Sequence, residues 1–152
     1  MSFRSTLGEW LEFIAKVFCG SVIIMGVIFS VWAVGPSLEN RYFPVVSKLK
    51  IADLRADSDG NAIIMAEFTK VRNCEYLGVA WYRGSRNQGF ERVPVILQRR
   101  AGDRSNPNRP LGTQRSGPWL VGMPVVEIDG NSFAELFHRC HPFWISKTDF
   151  YP

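Results

Sequence analysis

The hydrophobic pattern divides the chain near Pro36. Before it, apolar positions dominate with no polar face; after it, short apolar runs alternate with turn chemistry. Val17 to Val34, VFCGSVIIMGVIFSVWAV, is eighteen residues without a charge. A helix needs about twenty largely apolar residues to cross a bilayer core, so this run is just long enough.

The flanks fit a span. Thr6-Leu7-Gly8-Glu9 has capping-box spacing and predicts a helix start near Leu7. Glu12 and Lys16 stand four apart in the favourable order, and Lys16 is placed to reach headgroups. Trp10 and Trp32 fall about 33 Å apart on a helix, close to the separation of the two interfaces. Pro36 is expected to end the helix. A cleaved signal peptide is the competing reading, with Val31-Trp32-Ala33 as the cleavage site. The long leading segment with Glu9 and Glu12, and the length of the apolar run, argue against it. A buried soluble helix is the third reading, and an apolar surface all round disfavours it.

After Pro36, runs rich in Val, Ile, Phe, Tyr and Trp read as strands. They are Val45 to Ala56 with a bulge near Ala52, Ala62 to Val71, Tyr76 to Arg83, and Phe90 to Arg100 with Pro94 marking an edge. Trp119 to Ile128 is broken by Gly122 and Pro124, and Phe133 to Cys140 and Phe143 to Phe150 form a final pair. About seven short strands separated by turns predict a mainly β fold, an immunoglobulin-like β-sandwich, with a small barrel as the less specific alternative. Trp81 is the expected core tryptophan. The expected organisation is a tail and transmembrane signal anchor over 1–36, a linker over 37–44 and the β-sandwich domain over 45–152.

Charge changes this picture little. The net charge of +4 lies in the C-terminal part, with sixteen Lys/Arg against twelve Asp/Glu beyond Pro36 and two of each before it. That excess favours anionic surfaces and falls short of a nucleic-acid footprint. Positive charges flank the apolar run on both sides, so they do not set its orientation. A first span followed by a large domain usually leaves the C-terminus outside.

Cysteine use agrees. Cys19 lies within the apolar run, and Cys74 and Cys140 are the pair in the β domain, each at a strand end. In an exported domain they form one disulfide. The alternative is a thiol- or zinc-dependent enzyme centred on Cys74, His138 and Cys140, with His141 completing a Cys₂His₂ set or His138 activating Cys140. It lacks the two closely spaced ligand pairs of structural zinc sites, and no orienting third group is visible.

Arg99, Arg100, Arg104, Arg109 and Arg115 fall in one polar segment, expected to be an exposed loop and the best candidate for contact with an acidic envelope protein, a polymer or lipid headgroups. Asp57-Ser58-Asp59-Gly60-Asn61 is a hairpin turn; a calcium loop would need Gly and Glu where Ala62 and Phe68 stand. No phosphate loop, nucleophile elbow or HExxH is present, and no cofactor is implied.

KVRNCEYLGVAWYRG (Lys70 to Gly84) and HRCHPFWISKTDFYP (His138 to Pro152), behind an N-terminal anchor, resemble small uncharacterised membrane-anchored proteins of bacteriophage or prophage origin. That resemblance implies a role at the host inner membrane and supplies no catalytic residues. The expectation is a non-enzymatic binding or assembly module, anchored in the bilayer of a bacterial inner membrane with its domain outside the cytoplasm.

Overall fold

The computed structural model describes residues 3–98 and 106–152. The chain forms two compact units, Met1–Leu38 and Glu39–Pro152.

The first unit is helical. Helix α1 spans Phe3–Tyr42, so it starts ahead of the capping box and runs through Pro36. Its window from Gly8 is long and apolar enough to cross a membrane, and no residue of its most apolar stretch is buried. Ser21 and Ser30 hydroxyls donate to the Val17 and Gly26 carbonyls, and Lys16 pairs with Glu12 at 2.7 Å. Pro36 does not end the helix as expected. A turn later Glu39, already part of the second unit, is held by four hydrogen bonds. The Glu39 carbonyl also accepts from the Phe43 amide, which closes the last turn.

The second unit is built from strands. They are β1 (Lys50–Ala56), β2 (Asn61–Lys70), β3 (Glu75–Ser85), β4 (Gly89–Val93), β5 (Val95–Leu97), β6 (Gly112–Pro124), β7 (Ser132–Arg139) and β8 (Ser146–Tyr151). All pair antiparallel in two four-stranded sheets, ordered β1-β2-β6-β5 and β4-β3-β7-β8. The alternation that predicted β2 sets its burial: Ala62, Ile64, Ala66, Phe68 and Lys70 all face inward. Phe68 and Trp119 from one sheet meet Phe150 from the other at ring separations of 5.2 and 5.9 Å. Trp81 is fully buried, as expected, and its Nε1 donates to Ser132.

Several boundaries differ from the expectation. Phe90 to Arg100 is not one strand: Pro94, which cannot donate to a ladder, separates β4 in one sheet from β5 in the other. Trp119 to Ile128, expected to hold one or two short strands, holds part of one longer strand. It is the end of the thirteen-residue β6 followed by a short 3-10 helix, Val125–Glu127. The last strand starts only at Ser146, because His141 and Trp144 bond to Glu39. The expected bulge in β1 is present, between Ile51 and Asp53. In the turn after β1, Asp57 Oδ1 accepts the amides of Asp59 and Asn61.

Candidate functional site

The side chains with unusual chemistry gather at a cavity of about 400 Å³ lined from both sheets. Two irregularities lie beside it. A bulge at Leu77 interrupts the β3–β7 register, and another, at Gly117 and Pro118, interrupts β2–β6. Such bulges bend strands and re-aim side chains. The walls are largely apolar, with Phe68, Val79, Trp119 and Leu136 prominent.

Into this apolar space the strand alternation places two titratable groups. Lys70, the last inward position of β2, is 3% exposed. Its Nζ donates to the Cys74 carbonyl at 3.0 Å, and no carboxylate pairs with it among the described residues. Burial pulls its pKa below the usual lysine value. His138, an inward position of β7, is 2% exposed, and its Nδ1 has no hydrogen-bond partner among the described residues. Burial, reinforced by the Lys70 charge, pushes its pKa down to about 4, so the imidazole is neutral at pH 7. Tyr76 packs edge-on to His138 and is kept neutral by burial. Arg109 and Ser116 also line the space, and the Tyr76 amide donates to Asn108, which ties the segment bearing Arg109 to β3.

The cysteines come together as a disulfide. Cys74 precedes β3 and Cys140 follows β7, their Cα atoms are 4.6 Å apart, and the neighbouring pair Glu75 and Arg139 are cross-strand partners. With both sulfurs bonded to each other, neither offers a thiolate to a metal or a substrate. The HRCH segment is also spatially divided: His138 faces the cavity, while His141 Nε2 lies 3.1 Å from Glu39. Among the described residues no group of three or more His, Cys, Asp or Glu is placed to hold a metal.

Of the five arginines expected in one loop, Arg99, Arg100 and Arg104 lie outside the described residues. Arg109 borders the cavity. Arg115 is not in a loop: it lies on β6 and pairs with Glu67 at 3.1 Å across β2, because the strand begins at Gly112.

A second cluster forms around Glu39. Oε1 accepts from Arg72 at 2.8 Å, and Oε2 is bonded to Trp144 Nε1 at 2.6 Å, Ser146 Oγ at 2.9 Å and His141 Nε2 at 3.1 Å. Burial alone would raise its pKa, but these hydrogen bonds outweigh it and hold the carboxyl at about 2. Glu39 is therefore ionised and fully occupied, a fastening and not an open acid.

Comparison with known protein families, curated proteins and solved structures finds no match. Geometry and chemistry carry the functional reading.

Proposed function

We propose that this chain is a single-pass, membrane-anchored binding module whose immunoglobulin-like domain stands on the oxidising side of a bacterial inner membrane. The observation that carries the reading is the sequence of an exposed apolar helix followed by a β domain closed by the Cys74–Cys140 disulfide. Such a bond persists where thiols are not kept reduced. Lettered A, B, C, C′, D, E, F and G in chain order, the strands lie A-B-E-D and C′-C-F-G, an order that supports the immunoglobulin-like assignment. The disulfide departs from that family's inter-sheet bridge, since it joins the ends of adjacent strands in one sheet. The resemblance to anchored phage proteins fits the same location.

In this reading the domain recognises anionic groups, through the arginines of the segment 99–109 and not through Arg115, which Glu67 occupies. Replacing Arg99, Arg100 and Arg104 together by Ala is expected to weaken low-salt retention on an anionic polymer without lowering the melting temperature. The deciding experiment is topological. Alkaline carbonate should leave the protein in the membrane pellet, and protease added to spheroplasts should remove the domain. Blocking thiols before denaturing electrophoresis should reveal a reductant-dependent mobility shift. Release by carbonate, protection from protease, or free thiols at Cys74 and Cys140 would each contradict it.

A further inference from the structure

Among the described residues the buried carboxylates are paired with cations and one buried cation is left without a carboxylate. Glu39 meets Arg72 and three further donors. Glu135, equally buried, meets Arg86 and Lys147 at 3.1 and 3.0 Å. Lys70 has only the Cys74 carbonyl among the described residues. Burying an ammonium against one neutral acceptor is costly, and apolar replacement of such a group is often stabilising. A lysine at this position works against stability, and the cavity at its side offers a reason for it.

The chemistry of that cavity is one-sided. Among the described residues its lining contains Lys70 and Arg109 and no aspartate or glutamate. Its other polar groups, Tyr76, Asn106, Ser116 and the neutral His138, are suited to hydrogen bonding. The remaining wall is apolar and partly aromatic, and the volume of about 400 Å³ falls in the range of small-molecule sites. A positive, mostly apolar enclosure fits an anion that carries its own apolar body.

We propose that this cavity binds a small monocarboxylate with an apolar body, the carboxylate paired with the Lys70 ammonium and the body packed on Phe68, Val79 and Trp119. A single buried ammonium neutralises a monoanion. An inorganic dianion would leave charge unmatched and the apolar walls unused. Arg109, half-buried on the bordering segment, adds attraction at entry. This site adds a small-molecule ligand to the binding-module reading and does not depend on the anchor: a domain found on the other side of the membrane would still bind the carboxylate.

The test uses the full chain in lipid nanodiscs, titrated calorimetrically with linear carboxylates from butanoate to octanoate, with empty nanodiscs as blank. Saturable binding at one site is expected, with hexanol, hexylamine and inorganic phosphate weaker than hexanoate by at least about tenfold. Lys70→Met should lose at least about tenfold in hexanoate affinity while keeping its disulfide and cooperative unfolding. Arg109→Gln, at a half-buried position in an exposed segment, should lose a smaller factor with the fold intact. No saturable binding by any carboxylate in the series would overturn the proposal. So would equal binding of hexanol or phosphate, or unchanged hexanoate affinity in both variants.

Discussion

At the scale of single residues, three buried titratable groups give the domain a pH profile that can be dissected. Glu39 has its folded pKa held at about 2, below its ordinary 4.5. Its contribution is complete above pH 4.5 and is lost as pH falls toward 2, on the order of 2–3 kcal/mol. Glu39→Gln should be less stable at pH 7 in urea unfolding and should lose less than the wild type on acidification through that window. His138 is also depressed, to about 4 from 6.5. The unfolded chain takes up that proton first, so stability falls as pH drops from 6.5 to 4. His138→Phe should flatten this interval, and a profile that keeps its slope there would show that His138 is not the group responsible. Lys70 has the same pH sense in an alkaline window: its lowered pKa means the folded state gains stability as pH rises toward 10.5. Lys70→Met should therefore raise neutral-pH stability by about 1 kcal/mol, a few degrees in melting temperature. Neither Lys70 nor the inward placement of His138 was read from the sequence, although the signal was present: Lys70 ends the inward series Ala62, Ile64, Ala66, Phe68, and His138 continues Ala134 and Leu136, so alternation puts a charge and an imidazole on the apolar face. Glu39 gave no such signal, because its partners are supplied by residues more than a hundred positions away and by Arg72.

At the scale of elements, turn residues and alternation were enough to locate most strands, and the bulge in β1 was readable from its pattern. The division of Phe90 to Leu97 between two sheets was not, since it depends on what each half meets. Pro94 makes the transfer, and its carbonyl accepts the Gly122 amide at 2.9 Å. A Cβ on Gly122 would stand 2.5 Å from the Pro94 ring, which has little freedom to retreat. Gly122→Ala should cost about 1–3 kcal/mol in denaturant unfolding. The disulfide is the other element-level constraint. It closes a separation of 66 residues, worth roughly 4 kcal/mol by chain entropy alone. Replacing both Cys74 and Cys140 by Ala should lower unfolding stability by about 2–4 kcal/mol, whereas reductant should leave that double variant unchanged.

At the scale of the whole molecule, hydropathy separates an apolar helix from a β-rich segment, and the expected linker over 37–44 is largely helical instead, because α1 runs through Pro36 to Tyr42. The cavity was hidden from the sequence for a physical reason: it arises from the spacing of two sheets, to which no single segment's periodicity refers. The sheet margins have a further consequence. One pair of edges, β4 and β5, is short, and β4 carries Glu91 and Arg92. On the opposite side β1 is bulged and carries Lys50, Asp53 and Arg55, while the Leu49 amide takes up the Phe150 carbonyl of β8. Short, charged, bulged or capped strands make poor templates for another chain. In the membrane-anchored form we propose, copies confined to a plane would meet far more often than copies in solution, and blunted margins would let them collide there without polymerising.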